Sequence, residues 1–324
     1  ISRNGDLVHR MWFEATVETK TNSAALVTDV EVGNALIKSA EVEIGGQRVD
    51  KQYGNWMSIW SELTLRKGML PAYNELIQKV GANNALTSTG TEQKKVIRVP
   101  LQFWFCRNAG CALPLIALQY HEVRINLELC AKGDIAGTPV ELKDLSSTGL
   151  WVDYIYLDTD ERRRFAQVSH EYLIEQVQHT GVETTSNNTA AKVRLNFNHP
   201  VKELVWGIQK TGERDTVLNG ETTDVKLQLN GHDRFSERAG AYFNLVQPYQ
   251  HHTNIPTQTG KKVYVYSFAL RPEEHQPSGT CNFSRIDNAT LNLTANGGTA
   301  LWVFAHSYNV LRVMSGMGGL AYSN

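Results

Sequence analysis

The residues best equipped for chemistry are two histidine pairs, His121-Glu122 and His251-His252. Imidazoles and carboxylates are the usual ligands of divalent metals, but a site needs three or four of them at a spacing that one element can gather. Neither pair belongs to an HxH or HExxH pattern with a further carboxylate at ligand spacing. Both are read as surface or internally satisfied histidines, and no metal or cofactor is expected. Four cysteines, Cys106, Cys111, Cys130 and Cys281, form no CxxC pair and match no Cys/His zinc spacing. They suit small buried residues in a reducing compartment, with a Cys106–Cys111 bridge left open. The 33 acidic residues offer many carboxylate pairs, yet none sits in a context that forces a raised pKa. There is no GxSxG elbow and no cysteine nucleophile with a histidine partner, so the chain is not expected to be an enzyme.

Other patterns have bland readings as well. Gly316, Gly318 and Gly319 imitate a phosphate loop, but no helix follows to present its N-terminus, so a tightly turning or flexible tail is expected. Arg162, Arg163 and Arg164 form a basic triplet flanked by Asp158, Asp160, Glu161 and Glu171, with no aromatic residues interleaved. Ion pairing between domains or between subunits accounts for them better than nucleic-acid binding. Trp56, Trp60, Trp104 and Trp206 could stack on sugars, although core or interface packing is the default for tryptophans in sandwich strands. Sequons at Asn187, Asn282, Asn288 and Asn292 make these four asparagines candidate glycan acceptors.

The elements that would carry these residues meet at Gly149–Gln176. Leu150–Leu157 has the apolar and aromatic composition of a strand buried on both faces. Asp158 and Glu161 form a capping-box pattern ahead of a short basic helix, and a strand resumes near Tyr172. Upstream, Leu36–Ile44 ends in Gly45-Gly46, a hairpin signal. Trp56, Ile59, Trp60 and Leu63 recur at helical spacing after Gly54, and a second short helix runs from Pro71 towards Gly81. Strands follow at Val96–Phe105 and Leu115–Leu129. Downstream come strands at Val193–Phe197 and Leu204–Ile208, then Asp224–Leu229 with its Asn230-Gly231 turn. Helical spacing recurs at Tyr242, Phe243 and Leu245, before strands at Lys262–Leu270, Cys281–Leu293 and Leu301–Val313.

The halves correspond in order. Val42–Gly46 lies against Leu227–Gly231, an offset of 231 − 46 = 185, and Gly54, Trp56 and Ile59 fall against Gly240, Tyr242 and Leu245 at 186. Leu127 and Leu129 meet Leu291 and Leu293 at 164, and Leu150-Trp151-Val152 meets Leu301-Trp302-Val303 at 151. One β fold used twice explains the collinearity. Two copies of about eight short strands, each with a helical excursion at the same place, suit an all-β protein of two tandem jelly-roll sandwiches. The expected boundaries are 1–160 for the first, 161–171 for a linker with the basic helix, and 172–324 for the second.

At 324 residues, 41% hydrophobic and 9% aromatic, each half can bury a core. A balance of 32 basic against 33 acidic residues, net −1, argues against a surface built to grip nucleic acid or anionic lipid. The longest apolar run, Cys111–Leu118, is broken by Pro114 and falls short of the roughly 18 residues of a membrane span, and no signal peptide is visible. Ile1 is followed at once by strand-like sequence, so an opening segment is expected upstream.

Four stretches, ISRNGDL at Ile1–Leu7, LWVDYIYLDTDERRRFAQ at Leu150–Gln167, HEYLIEQ at His170–Gln176 and YNVLRVMSGMGGLAYSN at Tyr308–Asn324, resemble the major capsid proteins of nucleocytoplasmic large DNA viruses, of the phycodnavirus and iridovirus type. The resemblance covers nearly the whole chain. It implies a double jelly roll and homotrimers of pseudo-hexagonal outline that tile an icosahedral shell over an internal membrane. It also implies neighbouring capsomers, penton and minor capsid proteins as partners, and assembly in the host cytoplasm, without direct nucleic-acid binding or membrane insertion. In such chains the ISRNGDL-like sequence lies some tens of residues in, so the first copy should lack its opening strand. Ala82–Gln93, Ala131–Asp144 and His251–Lys261 are candidate loops for exposed or inter-capsomer contact. The competing class is a lectin-like glycan-binding jelly roll, which would bind sugar as an isolated chain, and a metal-bearing cupin-type enzyme stands third.

Overall fold

The computed structural model describes residues 1–21, 31–79, 92–131, 140–209, 218, 220–256, 261–297 and 300–323. The chain forms two compact units: Ile1–Met57 with Pro71–Gln176 and Tyr308–Asn324, and Ser58–Leu70 with Val177–Ser307. These units draw on segments from both sides of the expected boundaries at 160 and 172. Two strands, β8 (His170–His179) and β17 (Ala300–Met314), are long enough to give residues to each unit, a division that linear sequence order does not display.

In unit 1 the central strand is β1 (Leu7–Thr21). It pairs antiparallel with β4 (Glu92–Pro100) and β5 (Leu113–Pro114) on one side and with β7 (Val140–Ile155) on the other. The second sheet runs β3 (Gln47–Tyr53), β2 (Ile37–Ile44), β6 (Val123–Leu129). Unit 2 repeats the scheme. Its central strand β11 (Pro200–Gln209) pairs with β14 (Val263–Ser267) and β15 (Cys281–Asn282) on one side and β17 on the other. Its second sheet runs β13 (His232–Asp233), β12 (Glu221–Leu229), β16 (Ala289–Asn296), β10 (Thr189–Arg194). The repeat seen as sequence offsets is thus a repeat of topology. Strand β10 has no counterpart among the described residues of unit 1.

Local chemistry explains the shared corners. The β2–β3 turn has φ of +57° at Gly45 and +82° at Gly46, and the β12–β13 turn has +51° at Asn230 and +79° at Gly231. Two successive left-handed residues make the tight turn whose twist matches the strands it joins, and Gly and Asn adopt it at least cost. Each hairpin then leads to a helical excursion. In the first copy it is a helix at Gly54–Thr64, followed by a second at Leu70–Leu76. In the second it is a π-helical turn (Tyr242–Val246) running into a short helix, Gln247–His251. Each excursion begins beside a glycine pressed on backbone. A Cβ on Gly54 would collide with the carbonyl oxygens of Asn34 and Ile37, and one on Gly240 with that of Thr222.

Side chains alternate inward from paired sheets to make two cores. One gathers Val8, Met11, Phe13, Val42, Ile97, Val99 and Phe103, with Leu311 and Val313 from the far end of the sequence. The other gathers Leu204, Trp206, Ile208, Leu227, Phe243, Leu291, Leu301 and Val303. Trp56, Trp60, Trp104 and Trp206 are all buried. Leu150–Leu157 departs from expectation. Leu150, Val152 and Tyr154 pack on the core, whereas Trp151 is 55% exposed and stacks on Trp12 at 6.4 Å and 9°. Uniformly apolar composition does not distinguish a core face from an exposed aromatic one.

The expected strand Val96–Phe105 ends at Pro100 and gives way to a helical turn at Trp104–Arg107, and Leu115–Leu129 is a strand only from Val123. None of the four cysteines forms a disulfide, so Cys106 and Cys111 are not bridged, and burial pushes the Cys106 thiol up to about 12. At the tail, left-handed Ser315 and Gly316 turn the chain so that Met317–Leu320 pairs back on Leu311–Met314.

Replacing Gly240 by Ala should destabilise unit 2 by about 1–3 kcal/mol, the usual range for atoms forced into packed space. Chemical denaturation of the purified variant measures it.

Candidate functional site

Among the described residues, a dense polar cluster lies in unit 2. Glu203 stands on β11 and is paired in register with His306 on β17, whose Nδ1 is 3.1 Å from Glu203 Oε1. His252, at the end of the helix Gln247–His251, brings Nε2 to 2.9 Å from Glu203 Oε2 and Nδ1 to 3.0 Å from Glu273 Oε1. The first of these approaches is a charge contact outside hydrogen-bond alignment. Glu273 also accepts from the Thr253 backbone N–H at 2.8 Å and from its hydroxyl at 2.6 Å. The side chains of Glu203, His252 and His306 have no exposure to solvent.

Burial on its own would push the Glu203 carboxyl up, but His252 and then His306 override it and hold it well below the usual carboxylate range. Burial likewise pulls His252 down, and the Glu203 and Glu273 carboxylates overcome this, leaving His252 at about 9. At neutral pH the centre is therefore an imidazolium between two carboxylates. The arrangement has the look of a catalytic relay, yet no substrate atom can touch its three sealed members. Nor does any group of three or more His, Cys, Asp or Glu among the described residues have a metal-holding arrangement. Its work is cohesion: a buried charge must be met by another, and this one ties the helix end to two strands.

A second buried pair lies in the same unit. Lys261 Nζ sits 3.6 Å from Glu62 and donates to Ser58 Oγ at 2.5 Å. Asn254 donates through its backbone N–H to Leu63 O and through its amide to Glu62 O, both at 3.0 Å. The segment His251–Lys261, a candidate for exposed or inter-capsomer contact, is thereby fastened down where it is described, with Asn254, Pro256 and Lys261 buried. Ala82–Gln93 and Ala131–Asp144 lie largely outside the described residues. Only their ends are seen, Glu92 and Gln93 opening β4 and Val140–Asp144 opening β7.

The triplet Arg162–Arg164 lies on the helix Thr159–Gln167, which starts with the expected capping box of Asp158 and Glu161. Arg162 clamps Asp6 within unit 1, its Nε and Nη2 each 2.8 Å from Oδ1, while Asp6 Oδ2 accepts from the Leu157 N–H at 2.8 Å. The Arg162 hydrogen bond lowers the Asp6 pKa against the opposing effect of burial. Arg163 and Arg164 are exposed. Among the sequon asparagines, Asn187, Asn282 and Asn288 are exposed. Asn187 Oδ1 accepts from Gly297 N at 2.6 Å and Asn282 Oδ1 from Ser284 N at 3.1 Å. Asn292 is half-buried and donates to Gln228 at 3.1 Å. Asn288 borders a surface cleft of about 390 Å³ with Lys192, Arg194, Gln228 and Thr290.

Of the buried cluster, sequence reasoning held His252 to be a surface or internally satisfied histidine and missed its partners. Glu203, Glu273 and His306 come from three further segments with no common spacing. One signal was available: Lys202-Glu203 interrupts the apolar strand Val201–Ile208, and an acid there needs a cation.

Two sandwiches of one topology in a single chain make a double jelly-roll protein. The sequence profile described as "Large eukaryotic DNA virus major capsid protein" matches residues 161–319, and "Major capsid protein N-terminus" matches residues 1–158. The major capsid protein of Pyramimonas orientalis virus is 54% identical over 100% of this chain and 85% of its own length. That of Paramecium bursaria Chlorella virus 1 is 40% identical over 100% and 86%. The crystal structure of PBCV-1 VP54, fitted into a cryo-EM reconstruction of the virophage Sputnik, superposes with a TM-score of 0.85 at 38% identity, over 100% of this chain and 92% of that one. The chain belongs to the major capsid protein family of large eukaryotic DNA viruses, a structural family and not an enzymatic one. Nothing in these similarities favours the lectin-like alternative.

Two outcomes follow from this chemistry. His252 has a folded-state pKa raised to about 9 from an ordinary 6.5, so its contribution is complete below pH 6.5 and is lost as pH climbs through 9. Glu203, depressed from 4.5, contributes fully above that value and loses it only in acid. Denaturation midpoints should therefore fall between pH 6.5 and pH 9, and His252→Asn should cost about 3 kcal/mol at pH 6 and flatten that decline. Separately, Arg162→Ala should lower the melting temperature by stranding buried Asp6, whereas Arg163→Ala and Arg164→Ala should leave it unchanged in a scanning calorimeter.

Proposed function

We propose that this chain is the building block of an icosahedral virion shell, three copies associating into a capsomer of pseudo-hexagonal outline. The observation that carries the reading is the matched topology of the two units. Two similar sandwiches per chain let three chains present six similar corners, the number that hexagonal packing requires. The exposed apolar side chains support it: Trp151, Tyr249, Leu270, Met317 and Tyr322 are each more than half exposed, a pattern of surfaces destined for burial. In this reading neighbouring capsomers, penton and minor capsid proteins complete the shell, assembly takes place in the host cytoplasm, and exposed Arg163 and Arg164 are contacts between subunits.

Light scattering on a sizing column should return a mass near three times the 36.3 kDa of the chain. A persistent monomer at every concentration would sink the capsomer reading.

A further inference from the structure

The second sheets of the two units share a topology but not a charge balance. In unit 1 that sheet carries Lys38, Arg48, Lys51 and Arg124, and each meets a carboxylate. Lys38 lies 2.6 Å from Glu128, Lys51 and Arg48 lie 2.7 and 3.8 Å from Glu41, and Arg124 lies 2.9 Å from Glu122. In unit 2 Lys226 meets Asp233 at 2.7 Å. Lys192 and Arg194 on β10 are exposed, and neither has a carboxylate partner among the described residues. The strand that unit 1 does not show is thus the one that brings the surplus charge.

Register sets the two cations beside neutral polar groups. Lys192 lies opposite Asn292 and that opposite Lys226, while Arg194 lies opposite Thr290 and that opposite Gln228. Opposed residues share a face, and Val193, between the cations, turns the other way into the core. The floor of this face is fixed. Asn292 donates to Gln228 Oε1 at 3.1 Å, and Gln228 Nε2 donates to Asp233 at 2.8 Å, the carboxylate that Lys226 neutralises. At its end Asn230 Oδ1 accepts from the backbone N–H groups of Asp287 and Asn288 at 3.0 and 3.2 Å. The cleft of about 390 Å³ is lined by Lys192, Arg194, Gln228, Gly231, Asn288 and Thr290, none of them acidic. The side chains of Asn288 and Thr290 have no hydrogen-bond partner among the described residues. A lysine on an edge strand serves to keep other strands away, but that purpose calls for no fixed cleft with unused donors beside it.

We propose that this cleft binds an acidic saccharide, its sulfate or carboxylate groups on Lys192 and Arg194 and its ring hydroxyls on Asn288 and Thr290. The cations stand two residues apart on one strand, about 7 Å along it, which suits two charges carried along one molecule better than a single small anion. An ammonium and a guanidinium both make charge-assisted hydrogen bonds to such groups. The row Arg194, Thr290, Gln228 runs across the strands. A ligand lying along that row crosses the strands and cannot pair with their backbone as an added peptide strand does. Recognition then falls to amide, hydroxyl and cationic side chains, the groups that hold a charged sugar. The site adds a binding surface to the capsid reading and does not depend on how many chains a capsomer holds.

The test is isothermal titration calorimetry on the whole chain with a sulfated tetrasaccharide and a galacturonate tetrasaccharide, beside neutral maltotetraose and inorganic sulfate. One acidic probe or both should bind roughly tenfold more tightly than the neutral sugar or the free anion, and more weakly as salt rises; the tighter of the two names the acidic group. Lys192→Gln with Arg194→Gln should weaken binding about tenfold or more. Thr290→Val, which keeps both charges, should weaken it about fivefold. Lys38→Gln with Arg48→Gln removes the same charge from the sheet of unit 1 and should leave binding unchanged. Equal loss in both double variants means diffuse attraction and overturns the site. Inorganic sulfate binding as tightly as the saccharides, or a phosphoserine peptide binding more tightly, overturns the choice of ligand. A parent protein that binds neither acidic probe overturns the proposal outright.

Discussion

A strand buried inside a sandwich has to satisfy its backbone N–H and C=O groups on both edges, and β1 and β11 are where this chain meets that demand. Each is flanked on one side by two shorter strands laid end to end and on the other by one long strand. The hairpins, excursions and second sheets are arranged around those two ladders. Because the ladders are alike, the side chains that point inward from them are alike too. Leu150 and Val152 serve one core where Leu301 and Val303 serve the other.

The outward faces are where the copies diverge. On β11 and β17 that face carries Glu203 and His306, sealed from water together with His252, whereas on β1 and β7 it carries the stacked pair Trp12 and Trp151, the latter exposed. Burying a carboxylate is costly unless cations meet it closely, and Glu203 receives one imidazole on each oxygen. Such a centre is intolerant of partial assembly, since removing any member strands the others. It makes the second copy's excursion a fixture rather than a loop, which fits a protein used as a rigid part.

Much of this was legible in the residues. Gly45-Gly46 and Asn230-Gly231 announce their hairpins because so few residues accept successive left-handed conformations. The spacing of Trp56, Ile59, Trp60 and Leu63 announces a helix, and the collinear offsets announce the repeat. The unread parts are non-local. The Glu203 centre draws on four segments that only the folded sheets bring together. Trp151 was read as buried because an indole on an exposed face and one in a core leave the same letter in the sequence. Unit membership was also hidden, since a strand such as β17 gives no sign of where it passes from one body to the next.

That last feature bears on how the chain comes to be folded at all. Leu311 and Val313 belong to the core of unit 1, and Asn309 donates its amide to Gln176 at 3.0 Å across 133 residues of sequence. Everything in unit 2 after Val177 lies between those partners. The core of unit 1 is therefore completed by residues that are made after Val177–Ser307. Its closing contacts carry the loop entropy of the whole second body. A chain interrupted before Leu311 is left with an open core in unit 1 even when all of Val177–Ser307 is in place.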